Sequence, residues 1–186
     1  EDGVNAKEKE QKVKTTHRSY IETLGDFNRL CRFVSERGDY FRDFSTWPLG
    51  RLVDWKYGLY ENKQAVADFC DQNAHLWFDA FGDLIGFAIS ESGDASFAIL
   101  LADGYRFLFE DLLTWALDAW GDREGTTQVE VTERQDVEIK ALERSGFERG
   151  TTFYARRFDL TRAPEARPPL GEGFTIVDMH THPDFE

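Results

Sequence analysis

The stretch "AHLWFDAFGDLIGFAISESGDASFAILLADGYRFLFEDLLTW", residues 74–115, changes its hydrophobic period part way along. Up to Leu101 the period is two, broken at Phe81-Gly82-Asp83 and at Ser92-Gly93-Asp94, where the residues suit tight turns. Three antiparallel strands in a meander are expected. After Asp103-Gly104 the spacing becomes helical. Leu108, Leu112, Trp115 and Ala119 form one stripe and Phe109, Leu113, Ala116 and Trp120 its neighbour, with Glu110, Asp111, Thr114 and Asp118 largely elsewhere. A helix opened by Gly104 would therefore lay one broad face on the sheet. A strand that turns into a helix at a glycine is also a place where anions are held, because the first N–H groups of the helix have no partner within it.

Upstream, "THRSYIETL" reads as a short strand. Gly25-Asp26 caps a helix carried by Phe27, Leu30, Cys31 and Val34, with Gly38 as its stop. "DYFRDFSTWPLG" reads as an aromatic-rich surface loop. Leu52, Trp55 and Leu59 then mark a second amphipathic helix, whose aromatic residues fill a core or line a pocket. Downstream, Gly121 and Gly125 end the long helix, "TTQVEVT" gives a strand and "RQDVEIKALERS" a helix stopped at Gly146, and "TTFYARRFDL" reads as a last strand.

The flanks differ in kind. Residues 1–14 alternate Lys and Glu with hardly any apolar content and read as a disordered tail. Residues 161–173, with Pro164, Pro168 and Pro169 and no apolar period, read as a linker, and "FTIVDM" after them as the opening strand of something further.

At 186 residues, 41% hydrophobic and 15% aromatic, the chain can fill a substantial core. Its net charge of −13 opposes nonspecific nucleic-acid binding; such acidity serves solubility or attracts an amine. No apolar run approaches the ~20 residues of a membrane helix, and "EDGVNAKEKEQKVK" lacks the apolar core of a secretory signal. A cytoplasmic protein without a membrane partner is expected. Cys31 and Cys70 lie in apolar segments and read as free thiols.

The order strand, helix, helix, three-strand meander, helix, strand, helix, strand resembles the GCN5-related N-acetyltransferases over residues 15–160. "ALERSGFERGTTFYARRFDL", residues 141–160, resembles the family's closing signature, a helix ending in Gly-Phe before a strand with aromatic and basic residues. The resemblance implies an α/β fold with a mixed, mostly antiparallel central sheet and flanking helices. It implies acetyl-CoA dependent acyl transfer to a small amine by direct attack on the thioester. Two parallel strands, 96–101 and 126–132, would splay apart to admit the pantetheine arm, beside Ile99, Leu100 and Leu101. The diphosphate would rest on Gly104, Tyr105, Arg106, Phe107 and Leu108.

The sequence departs from the family pattern at that corner. Relatives usually carry Arg or Gln, two residues, Gly, one residue, then Gly or Ala, since close approach to phosphate leaves no room for side chains. Arg106 matches the arginine, but "FLFEDLL" follows it, and Glu110 and Asp111 put negative charge in the first helical turn. Where many relatives place a tyrosine that protonates the leaving thiolate stands Leu142, with Tyr154 on the next segment as a substitute. Glu91, at a strand end, and Glu130, on the splayed strand, are the carboxylates suited to take a proton from the amine, or are simply surface charge.

Residues 174–186 resemble the start of a second domain of the same kind, which would make this the N-terminal, degenerate half of a tandem protein. The chain would then be a non-catalytic scaffold or substrate-binding half beside an active partner domain. "TTFYARRFDL" would also suit pairing across a homodimer edge. A third reading rests on "IVDMHTHPD", where Asp178, His180 and His182 alternate like the first metal-binding strand of amidohydrolases. Such a site needs further ligands, and His17 and His75 are the remaining imidazoles, so no metal cofactor is expected.

Overall fold

The computed structural model describes residues 14–36, 47–58 and 68–154. The chain divides into two units, 1–148 and 149–186. In the second, residues 149–154 are described and carry neither helix nor strand.

The first unit is built on a five-stranded sheet in the order β1-β2-β3-β4-β5. These strands are Thr16–Ser19, Ala74–Phe78, Leu84–Ile89, Ser96–Leu101 and Gln128–Val129. The first four pair antiparallel and β5 pairs parallel to β4. Helices α1 (Asp26–Glu36), α2 (Leu49–Tyr57), α3 (Phe69–Asn73), α4 (Phe109–Trp120) and α5 (Asp136–Arg144) accompany the sheet. The expected meander is present with both its turns, at Gly82 and Gly93, whose φ angles of 84° and 81° favour glycine. This is the mixed, mostly antiparallel α/β architecture that the resemblance implies.

The period of two has a more specific meaning than core against solvent. Every residue of β2 is buried, as is nearly all of β3 and β4. Leu76, Phe87, Ile89, Ala98 and Leu100 join Tyr20, Leu30, Phe33, Leu52 and Trp55 in one core. Trp77, Ile85, Ala88, Phe97, Ile99 and Leu101 join Phe109, Leu112, Leu113 and Ala116 in another. Successive side chains thus alternate between two apolar cores, with α1 and α2 contributing to one and α4 to the other. Gly86 lets β3 and β4 approach: a Cβ there would lie 2.5 Å from Leu101 Cδ2 and 2.8 Å from the Leu100 carbonyl oxygen.

The entry to α1 is held by charge. Asp26, fully buried, accepts two hydrogen bonds from Arg18 of β1 and one from the Ile21 N–H at 2.8 Å. One carboxylate so ties the edge strand to the helix N-terminus, where negative charge also suits the dipole.

Four expectations need correction. The helix does not open at Gly104: a 3-10 helix, Asp103–Leu108, comes first and α4 begins at Phe109. The strand expected over 126–132 is only Gln128–Val129, because the chain turns away after the Glu130 N–H reaches the Phe97 carbonyl at 3.4 Å. Ala119 is exposed and outside the buried stripe. Residues 151–154 form no strand. Gly38, most of "DYFRDFSTWPLG", Leu59, residues 1–13 of the tail, the linker, and Asp178, His180 and His182 lie outside the described residues.

Candidate functional site

The parallel pair β4 and β5 makes a fork. Their register covers Ser96 with Gln128 and Phe97 with Val129. Beyond it β4 continues through Ile99, Leu100 and Leu101 to its end, and among the described residues no strand pairs with these on the β5 side. They remain tied to β3 on the other side, through Gly86, Phe87 and Ala88. The parallel contact is thus short, and Ile99, Leu100 and Leu101 lie beyond it.

Glu91 follows the end of β3 and Glu130 follows β5, so chain order separates them by 39 positions while the sheet brings their ends together. They meet on Arg51 of α2. Its Nε and Nη2 donate to the two oxygens of Glu91 at 3.0 and 2.7 Å, and its Nη1 donates to Oε2 of Glu130 at 2.9 Å. The guanidinium also stands over the Trp47 ring, 4.5 Å from its centroid. All three side chains are partly exposed, at 27%, 39% and 35% for Arg51, Glu91 and Glu130, which leaves the cluster within reach of a ligand. Burial pushes the Arg51 pKa down, but its hydrogen bonds to Glu91 and the charges of Glu130 and Glu91 outweigh this and hold it above its ordinary value. Sequence reading missed Arg51. Nothing in "WPLGRLVDW" marks this arginine, and its role arises only where a helix meets the ends of two strands.

The corner at residues 103–109 is arranged differently from a phosphate cradle. In the 3-10 helix the Tyr105 N–H donates to the Ala102 carbonyl at 2.8 Å and the Phe109 N–H to that of Arg106, so the turn consumes donors of its own. Gly104 has an ordinary φ, with open space where a Cβ would stand. The Tyr105 hydroxyl donates to Asp79 Oδ2 at 3.4 Å, Leu108 is buried, and Phe107 is exposed. Arg106 points to α5: its Nε and Nη2 donate to the two oxygens of Glu138 at 2.7 and 2.6 Å, with Asp136 at 3.7 Å. Glu110 and Asp111 occupy the first turn of α4, as the sequence indicates.

Of the remaining candidates, Leu142 is buried in the core on the α4 face. Tyr154 belongs to the second unit and is exposed. Cys31 and Cys70 are free thiols; burial pushes the Cys70 thiol up to about 11, so it stays protonated near neutrality. Among the described residues no group of three or more His, Cys, Asp or Glu is placed to hold a metal ion, and no helix is long and apolar enough to cross a membrane.

A different cluster lies on β1 and β2. His17 Nδ1 is 2.8 Å from His75 Nε2, and His75 stacks on Trp115 of α4 with ring centroids 3.8 Å apart. Burial, together with the charges of His17 and Arg18, lowers the His75 pKa to about 4.

No protein-family model matches the chain, and no curated protein does. Among solved structures it is similar to a "putative acetyltransferase" from Deinococcus radiodurans R1, at 26% identity and a TM-score of 0.33 over 45% of this chain. The match spans 60% of the length of the Deinococcus protein. It is also similar to the "putative acetyltransferase" YycN from Bacillus subtilis, at 13% identity and a TM-score of 0.41, over 78% of this chain and 99% of the other.

Proposed function

We propose that this chain is an N-acyltransferase domain of the GCN5-related class, which moves an acyl group from acetyl-CoA to a small amine by direct transfer. The observation that carries this reading is the fork between β4 and β5 with Glu130 at its branch: the ladder ends at Phe97 and Val129, and Glu130 is the next residue. The stretch of β4 along Ile99, Leu100 and Leu101 suits the extended, hydrogen-bonding pantetheine arm. The Glu91–Arg51–Glu130 cluster provides carboxylates for a cationic amine.

Acetyl-CoA supplies the activated acyl group, as a thioester. Attack by the amine nitrogen forms a C–N bond, and collapse of the tetrahedral intermediate breaks the C–S bond. Glu130 takes the proton that the ammonium must lose, since Arg51 engages only one of its oxygens. Glu91, gripped through both oxygens, anchors Arg51 and so holds Glu130 in place. Positioning of this kind turns a two-body encounter into a local one, and a well-placed base typically adds about 10²–10⁴-fold.

The diphosphate corner fits less well. Arg106 is committed to Glu138, Phe107 stands where a glycine would give room, and Glu110 and Asp111 oppose an anion by roughly 0.3–1 kcal/mol each. These features favour a second reading: a non-catalytic domain that serves as the scaffold or substrate-binding half of a tandem protein. Calorimetry and thermal melting with ~1 mM acetyl-CoA separate the two, because a ligand specific to the native state raises the melting temperature by mass action. A rise in melting temperature, with thiol release in the presence of amines, supports the transferase. The absence of any shift or heat removes it and leaves the scaffold.

A further inference from the structure

At the end of the sheet where β2 turns into β3 and β4 leaves for α4, aromatic side chains stand in solvent. Phe81, in the β2–β3 turn, is 92% exposed, and Phe107, in the 3-10 helix, is 61% exposed. Tyr105 links them. Its hydroxyl donates to Asp79 Oδ2 at 3.4 Å, and the other oxygen of that carboxylate accepts the Phe81 N–H at 2.9 Å. Its ring centroid is 6.2 Å from that of Phe107. The backbone beneath is braced: Asp79 Oδ1 also accepts the Asp83 N–H at 2.9 Å, and the Ala102 N–H donates to the Ile85 carbonyl at 2.8 Å. Arg106, between Tyr105 and Phe107, is gripped by Glu138. Large apolar groups gathered at a surface in this way mark places where another molecule is met.

We propose that this surface docks an arginine-rich segment of a partner protein. Charge decides the occupant. Residues 79–83 and 103–111 carry five carboxylates, Asp79, Asp83, Asp103, Glu110 and Asp111, against one cation, Arg106, which Glu138 already holds. Arg144 pairs with Glu110; among the described residues no cation pairs with the other four. Desolvation, with the charges of Asp79 and Asp83, holds the Tyr105 phenol above its ordinary pKa, so both acids act on the aromatic face. A second copy of this chain, with its net charge of −13, would set carboxylates against carboxylates, and anionic lipid or nucleic acid would be repelled in the same way. Arginine suits both parts of the surface. Its guanidinium stacks on aromatic faces and pairs with carboxylates, and apolar neighbours in the partner would cover Phe81 and Phe107. The features that oppose a diphosphate at this corner are those that favour a cation. Docking requires no acyl transfer, so it holds for either reading of the domain.

The test uses the full chain and a fluorescein-labelled, end-blocked peptide of alternating arginine and leucine, followed by fluorescence anisotropy at physiological salt. One peptide per chain should bind saturably. F81S/F107S, at two exposed positions, leaves the core intact and should weaken binding by about tenfold or more, as loss of aromatic anchors does. D83N/D111N should weaken it by about fivefold, and less at higher salt. D118N/D122N makes the same change of charge at exposed positions toward and beyond the far end of α4, and should alter binding by less than about twofold. Circular dichroism verifies that each variant is folded. Equal binding by F81S/F107S, an equal loss from D118N/D122N, or no binding at all would overturn the docking site. So would a concentration-dependent dimer in sedimentation, or binding to phosphatidylcholine vesicles, that F81S/F107S abolishes, since the face would then belong to a second copy or to a membrane.

Discussion

Arg106 and Glu138 form a two-bond ion pair between the 3-10 helix at 103–108 and α5, with the Glu138 side chain 3% exposed. An arginine that the resemblance would assign to phosphate is held here by a buried carboxylate. Removing one partner of such a pair leaves the other charge without compensation, which typically costs about 3–5 kcal/mol, whereas replacing both with apolar residues costs far less. Arg106→Ala should therefore lower stability to denaturant by an amount in that range. The Arg106→Met, Glu138→Leu double variant should recover most of it. A loss below about 1 kcal/mol for the single variant would mean that the pair is not a structural strut.

The proposed transferase reading gives the two carboxylates at the fork separable roles. Glu130→Gln should lower kcat for transfer to an amine by about 10²-fold or more, the amount a positioned base contributes, with little change in KM for acetyl-CoA. Glu91→Gln loosens Arg51 and should chiefly raise KM for the amine. Steady-state kinetics at several pH values read both. Equal, small effects from the two substitutions would put them back among surface charges.

His75 makes stability depend on pH. Its folded pKa of about 4 is depressed from 6.5, so the folded state binds fewer protons than the unfolded chain between those values. The stability that goes with neutral His75 is fully present above about pH 6.5 and is lost as pH falls toward 4. On the order of 2 kcal/mol should disappear between pH 7 and pH 4.5. Comparison with His75→Gln isolates this part from carboxylate titration; parallel pH profiles for the two proteins would refute it.

Gly86 is where two strands come closest. A Cβ there meets Leu101 Cδ2 and the Leu100 carbonyl, and the carbonyl belongs to backbone that cannot swing aside. Gly86→Ala should cost about 1–3 kcal/mol, the usual penalty for overpacking, and shift β4. Unfolding by urea measures the cost. A neutral outcome would show that β3 and β4 have room to part.

The meander and its turns were legible because they are local: alternating apolar residues and glycines at turns act within a few positions. Arg51 was illegible because no local pattern distinguishes a helical arginine that reaches two strand ends from one that faces water. Glu138 was hidden for a similar reason. In "RQDVEIKALERS" it reads as one more acid on a solvated helix, and only its proximity to Arg106 explains its burial.

By itself the sequence determined the three-strand meander, its turns and most of the apolar face of α4, because period and turn chemistry act between near neighbours. It also placed Phe107, Glu110 and Asp111 at the turn from β4 into α4. Tertiary structure alone decided how far β5 accompanies β4, which core each strand residue enters, and which charges meet. Those outcomes depend on contacts between positions tens of residues apart, such as Arg51 with Glu91 and Glu130, His17 with His75 and Arg106 with Glu138. Only the assembled sheet and its helices bring such groups within bonding distance.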